Sequence, residues 1–348
     1  MVPLVPSSNN AWDAVGAGLG VGAGGPKGQG FDSPKPAGYP EPAVPCRLLR
    51  MRNNSVSAVT SERISIPVPA GGALAGTLRL QADDAPRAAV VIHPATAVAE
   101  RLYTGFSEHL AENGYAVLTY DYRGTGASGS PKANRKLRMR DWMAQDVPAA
   151  ADWMAERFPE LPRLAVGHSI GGHAMALDNG TDGLLGFVAI ASHAGVTKTI
   201  QDPKERLRVG LVLRVLGPLT SRLLGAVPGR KMGLGEDMPG GAMLEWSSWS
   251  RRPNYFFDDP SMDAAERAAR VKTEVLSIGF TDDLWATPGQ INAIYSRLTN
   301  APLERRTYSP DDAGVPAIGH MGFFRRGAKD KLWPEVLTWL DGRIAKQP

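Results

Sequence analysis

The chain has 348 residues, of which 43% are hydrophobic and 21% charged, and its formal net charge is +4. This balance excludes wholesale disorder and leaves no basic footprint for nucleic acid, while the length suits one large domain or two ordinary ones. A single cysteine, Cys46, excludes an intrachain disulfide and a cysteine-based zinc site, and fits a reducing, cytoplasmic location.

Residues 1–58 form a Gly/Pro-rich stretch with no helical or strand period. Such a segment buries too little to offset its ordering entropy and is expected to be disordered; Met51 is an alternative start. From residue 59 the pattern changes. Ile64, Ile66 and Val68, then Leu74, Gly76, Leu78 and Leu80, alternate as two antiparallel strands around the turn Ala70-Gly71-Gly72. Ala88–Ile92 reads as a buried strand, Glu100–Asn113 as a helix capped by Gly114, and Tyr115–Tyr120 as a strand. A helix over Asp141–Phe158, kinked by Pro148, follows, then strand Leu164–Val166, helix Gly171–Leu177 and strand Leu185–Ala191. Thr273–Phe280 and Leu303–Tyr308 are strands, Pro288–Leu298 and Leu332–Ile344 helices. Strands alternating with helices predict a mostly parallel, eight-stranded sheet with helices on both faces.

This rhythm divides the chain into a core over 59–194 and 269–348 and an insertion over 195–268. The insertion is rich in helix formers and aromatic residues, and it leaves and rejoins the sheet as a cap would. No uncharged apolar stretch is long enough to span a bilayer; the nearest, Leu207–Val227, is interrupted by Arg208, Arg214 and Arg222. No basic N-terminal segment leads into a compact apolar one, which speaks against a secretory signal.

The most specific chemical signal is Gly167-His168-Ser169-Ile170-Gly171-Gly172, between a strand and a helix. Side chains at Gly167 and Gly171 would collide with neighbouring backbone on so sharp a turn, which lifts the Ser169 hydroxyl above the C-terminal sheet edge. A nucleophilic serine needs a base and the base an orienting acid. Among six histidines, His320 suits the role, in a loop of small residues between the last strand and the last helix. His93 and His193 end strands and would border the site, His109 would be solvated and His173 buried in packing. His168, next to the serine, would point elsewhere. Asp283 follows the strand Val275–Phe280 and would orient His320, with Asp282 as the alternative and otherwise a turn former or helix cap. The order Ser, Asp, His differs from that of chymotrypsin and subtilisin. Two backbone amides would hold the oxyanion: Ile170 and, since Pro94 has no N–H, Ala95, with Thr96 second. Asp121–Ser128 has neither dinucleotide nor Walker spacing and reads as a structural loop.

These motifs, with the late acid loop and the Gly319-His320 pair, resemble the α/β-hydrolase superfamily over residues 60–348. His93–Val98, Pro228–Asp237, Trp246–Pro260 and Ile318–Phe324 more narrowly resemble bacterial serine aminopeptidase-like hydrolases. One departure stands out: His93 precedes Pro94, where the superfamily usually carries His-Gly, and this bears on the oxyanion loop. The resemblance implies an α/β-hydrolase fold and a catalytic serine, with the substrate unnamed. The residues favour hydrolysis of a small-molecule carboxylic ester or related acyl compound through an acyl-serine, without cofactor or metal. Trp246, Trp249 and Trp285, with Tyr255 and Phe256, would line an apolar acyl pocket. Arg251 and Arg252 would hold a carboxylate or stay solvated. Leu211, Val212, Val215 and Leu216 would pack within the cap or, in a lipase-like enzyme, touch a lipid surface. An acyltransferase and a non-catalytic receptor on the same fold are the alternatives.

Overall fold

The computed structural model describes residues 58–346. The expected extension over 1–58 therefore lies outside the described residues, apart from its last residue. The strands are β1 (Val59–Pro67), β2 (Ala73–Gln81), β3 (Ala88–His93), β4 (Tyr115–Tyr120), β5 (Arg163–His168), β6 (Leu184–Ile190), β7 (Ala226–Val227), β8 (Met238–Pro239), β9 (Glu274–Phe280) and β10 (Leu303–Tyr308). Eight of them form one sheet in the order β1-β2-β4-β3-β5-β6-β9-β10, and β7 and β8 pair as a separate short ribbon. Pairing is antiparallel from β1 through β2 to β4 and parallel from β4 to β10.

Burial explains this layout. Every residue of β3 and β4 is buried, so both faces of the central strands are covered, as a continuous apolar run requires. The edge strands are different. Strand β10 exposes Glu304 and Arg305, and β1 exposes Glu62 and Arg63, charges that discourage further strand pairing. Helix Thr104–Glu112 lies against β4, and helix Trp333–Ile344 against β6, where Trp339 stacks so closely over Gly186 that a Cβ there would come within 2.7 Å of the indole.

The anticipated kink near Pro148 takes a specific form. The helix widens to a π turn over Trp142–Asp146, and Pro148 then sits in the first turn of helix Val147–Arg157. Placing a residue without an N–H at the start of a helical segment removes the bond it could not make. A second π turn, Val212–Leu216, joins helix Pro203–Leu211 to helix Gly217–Leu224 in the long segment between β6 and β9.

Strand order sets where a ligand can enter. From β3 the chain proceeds to β4 on one side, whereas β5 pairs on the other side. The loops after β3 and β5 therefore diverge around a crevice at the strand C-termini, the usual binding position of an open α/β sheet.

Candidate active site

Ser169 sits at the end of β5 with φ 52° and ψ −111°, a strained conformation for a residue with a side chain. Hydrogen bonds on both sides hold it there. Its N–H donates to the Ile190 carbonyl at 3.0 Å, and its carbonyl accepts from the Ser192 hydroxyl at 2.8 Å and from the amides of Gly172 and His173. The flanking glycines are required by contact. A Cβ on Gly167 would lie 2.5 Å from the Gly171 carbonyl carbon, and one on Gly171 only 2.4 Å from the His93 carbonyl oxygen. Ile170 opens the helix Ile170–Ala176, so its amide has no partner within that helix.

Asp283 is buried and divides its carboxylate between two tasks. One oxygen, Oδ2, lies 2.7 Å from His320 Nδ1; the other accepts from the amides of Trp285 at 2.9 Å and Ala286 at 3.0 Å. Burial pushes the carboxyl pKa up, but the His320 charge and hydrogen bond, helped by His193 and the Ala286 amide, outweigh it and leave it well below the usual carboxylate range. An ionised Asp283 accepts only, so Nδ1 of His320 carries a proton, and in the neutral imidazole Nε2 is left with a lone pair. Asp282 has a different task. Its two oxygens accept from the amides of Ile318 at 2.8 Å and Gly319 at 3.0 Å, tying down the loop that carries His320. Asp282 itself sits in the turn after β9, as expected of a turn former, and caps no helix.

Ser169, Ile170, Thr96 and His320 line one small cavity of about 40 Å³, together with His193, Trp246 and Trp285. Tyr255, Met139, Leu234 and Met321 complete its apolar wall. A second space of about 20 Å³ continues past Trp246 and Trp285 to Val209 and Leu213 of the inter-strand segment. Trp285 Nε1 donates to Glu205 at 2.7 Å, and Arg208 grips the same carboxylate and holds its pKa low. The acid loop and the inter-strand segment are thereby joined over the serine.

Two expected contacts take another form. Ala95 lines the cavity, but its amide donates to the Tyr103 hydroxyl at 2.8 Å, which leaves Thr96, also on the cavity wall, as the alternative donor. Trp249 is fully buried, with its ring against Tyr255 and Phe256 and its Nε1 bonded to Asp259 at 2.8 Å. It anchors the inter-strand segment and does not face the cavity. An indole N–H removed from water needs an acceptor, and Asp259 supplies it. Arg251 and Arg252 also stay off the cavity wall: Arg251 bonds the Ser247 hydroxyl and Arg252 pairs with Asp259.

His168, expected to point elsewhere, is a structural member of the site. Its Nε2 lies 2.9 Å from the His320 carbonyl oxygen and its Nδ1 2.9 Å from the Tyr103 hydroxyl. A carbonyl only accepts, so Nε2 bears the proton; Nδ1 then accepts from Tyr103, which in turn accepts from Ala95. This chain of bonds runs from the loop after β3, under the serine, to the loop of His320. Burial, reinforced by the nearby His320 charge, drives the His168 pKa well below its usual value and keeps the ring neutral. Burial likewise lowers His93 to about 3, His173 to about 3 and His193 to about 4. His173 is buried as expected and bonds the His193 carbonyl at 2.8 Å. His193 borders the cavity, while His93 lies beneath it against Tyr120 at 2.9 Å. His109 is half-buried, its ring packed on Trp333.

The Asp121–Ser128 loop serves architecture. Asp121 accepts from the amides of Glu100 and Ala127, both at 2.8 Å, and Gly126 approaches its carboxylate too closely to carry any side chain.

A strained serine at the end of a central strand, a late Asp–His pair and the switch-point crevice define an α/β-hydrolase. A model of the serine aminopeptidase family S33 matches residues 84–303, more than half of the chain, and the protein belongs to that family. No curated protein matches the chain in sequence. Among solved structures of the same fold, a thermostable carboxyl esterase from Bacillus coagulans, determined in complex with glycerol, is 15% identical. It superposes with a TM-score of 0.55 over 82% of this chain and 99% of that one. Brefeldin A esterase, a bacterial homologue of human hormone-sensitive lipase, is 16% identical with a TM-score of 0.54 over 88% of this chain and 81% of its own. A lipase in its open form is also 16% identical, with a TM-score of 0.55 over 83% and 100%. At such identities the likeness carries the fold alone.

Proposed function

We propose that this protein is a serine hydrolase that cleaves carboxylic esters of small apolar acyl groups through an acyl-serine intermediate. Ser169 Oγ attacks the ester carbonyl and passes its proton to His320 Nε2. Asp283 holds Nδ1–H and balances the imidazolium. The amides of Ile170 and Thr96 receive the oxyanion, a role worth about 3 to 4 kcal/mol per donor. His320 then protonates the leaving alkoxide, and water repeats the sequence to release the acid. The observation that carries this reading is the shared cavity of Ser169 and His320, with Asp283 bonded behind the imidazole.

The family name raises a second reading, cleavage of an aminoacyl bond. The cavity wall argues for the ester. It carries Trp246, Trp285, Met139, Leu234 and Met321, and no carboxylate among its described residues to meet an α-ammonium. The nearest candidate, Glu205, is already engaged by Arg208 and Trp285.

The cavity also has room for only a few waters, at roughly 10 to 15 Å³ each. We take the inter-strand segment, residues 195–268, as a cap that moves to admit substrate. Rates on a panel of p-nitrophenyl acyl esters, set against aminoacyl p-nitroanilides, test the assignment. Turnover of esters that vanishes in Ser169→Ala is the expected result. Efficient anilide cleavage with inert esters would replace the reading by the aminopeptidase one.

A further inference from the structure

Helices Pro203–Leu211 and Gly217–Leu224, fused by the π turn Val212–Leu216, form one continuous helical rod. Its inner face buries Val209, Val212, Leu213 and Pro218. Its outer face carries Leu207, Leu211, Val215, Leu219 and Leu223, one residue in every four, with Leu207 and Leu223 each 74% exposed. Of the eight large apolar side chains exposed among the described residues, seven lie on this rod, the eighth being Leu284. Exposure concentrated in that way marks an interaction surface and is not the ordinary scatter of surface leucines.

The π turn is what makes the row continuous. In an α-helix a step of four residues overshoots a full rotation by about 40°, so Leu223 would stand about 160° around from Leu207. One extra residue in a π turn takes back roughly 100° and returns the two ends to the same side.

Charge selects the occupant. Between Lys198 and Leu224 the chain has six basic and two acidic residues. Lys198, Lys204, Arg206, Arg214 and Arg222 are exposed, whereas Glu205 turns inward to Trp285 and Arg208. At the C-terminal end of the rod, Leu223 and Leu224 rim an open groove that also presents Lys132, Arg135 and Lys136. An apolar stripe bordered by cations complements a surface that offers hydrocarbon beneath fixed negative charge. A second copy of this chain would instead set like charges against each other across a two-fold interface.

We propose that the outer face of Pro203–Leu224 docks on an anionic phospholipid bilayer, the leucines entering the acyl boundary and the basic residues meeting the phosphates. Because Val209 and Leu213 on the opposite face wall the space beside His193, the bilayer would lie about 10 Å, one helix diameter, from the candidate site. Direct supply of membrane-partitioned esters would follow from that placement and rests on the hydrolase reading; docking itself does not.

Flotation of the full chain with phosphatidylcholine vesicles, pure or containing roughly one-quarter phosphatidylglycerol, tests the proposal at about 0.1 M salt. Binding only to the anionic vesicles is expected, weakening as salt is raised. Leu211→Ser with Leu219→Ser should lower the partition coefficient at least about tenfold. Arg214→Gln and Arg222→Gln should lower it about fivefold each. All four side chains are exposed, so melting temperature and activity on a soluble ester should hold. Absence of flotation, or flotation unaltered by the leucine pair, would overturn the proposal. Sedimentation showing a dimer that the leucine pair disperses, without vesicle binding, would overturn it in favour of a second copy. Loss of esterase activity in Ser169→Ala with vesicle binding intact keeps the two questions separate.

Discussion

The two sides of the cavity are built on different physics. Below, the turn after β5 is fixed by backbone hydrogen bonds, by glycines with no room for a methyl group and by a buried chain of polar bonds through Tyr103 and His168. Above, the segment between β6 and β9 is tied to the core by ion pairs. Arg101 pairs with Glu236, and Arg140 bridges Glu245 and Asp259. The lower side holds Ser169 in one strained conformation and leaves little room for substitution. The upper side is attached by buried apolar side chains such as Trp249, Tyr255 and Phe256, by a few ion pairs and by the Trp285–Glu205 bond.

The sharpest probe of that contrast lies in the neighbouring aspartates. Asp283→Asn should lower kcat about 10⁴-fold, because an amide cannot hold the imidazolium. Asp282→Asn should cost only about tenfold, since one of the two loop amides still finds an oxygen. Steady-state kinetics on a single ester decide this, and a larger loss from Asp282 would reverse the roles.

Acid should strike the lower side next. His93, His168, His173 and His193 are held neutral when folded, with pKa values depressed below the ordinary 6.5, and they become protonated in the unfolded chain as pH falls below that value. Their contribution is therefore complete above about pH 6.5 and is lost as pH drops toward 4. Lowering the pH from 6.5 to 5.5 should cost about 1 kcal/mol per histidine, about 4 kcal/mol in all, read by urea unfolding at each pH. A flat profile would contradict the neutral, buried assignment.

Smaller effects should separate the two sides further. Gly171→Ala forces a methyl against the His93 carbonyl and should destabilise by roughly 3 kcal/mol, visible as a fall in melting temperature. Trp285→Phe removes the bond to Glu205 and shrinks the ring that lies beside His320. It should alter the ratio of rates on long and short acyl esters a few-fold while leaving stability within about 1 kcal/mol. An equal stability loss from both variants would show that the covering segment is as rigid as the turn beneath it.

The same division decided what could be read from sequence. Continuous apolar runs such as Ala88–Ile92 and Tyr115–Tyr120 can be satisfied only by burial on both faces, which made the central strands legible, while β1 and β2 were legible from their alternation. Gly167 and Gly171 were legible because a strained turn admits nothing larger. The Ala95 amide was not, since its partner Tyr103 is brought to it by tertiary folding, and Tyr103 reads in sequence simply as one residue of an apolar helix face. Trp249 and Trp285 look alike in sequence; Asp259 draws one inward and Glu205 holds the other over the cavity. The stripe of the long rod was legible only in part: Leu211, Val215 and Leu216 are exposed but Val212 is buried, and the π turn breaks the 3.6-residue period used to assign faces. The part played by Asp282 emerged only when two loops distant in sequence were seen together.

The central claim is that Ser169 is a nucleophile activated by His320 and Asp283. Mass-spectrometric mapping of the adduct left by a fluorophosphonate probe tests it most directly. A single adduct on Ser169, formed far more slowly in His320→Ala and absent in Ser169→Ala, is the predicted outcome. An adduct on another residue, or labelling as fast in Ser169→Ala as in the wild type, would contradict the assignment.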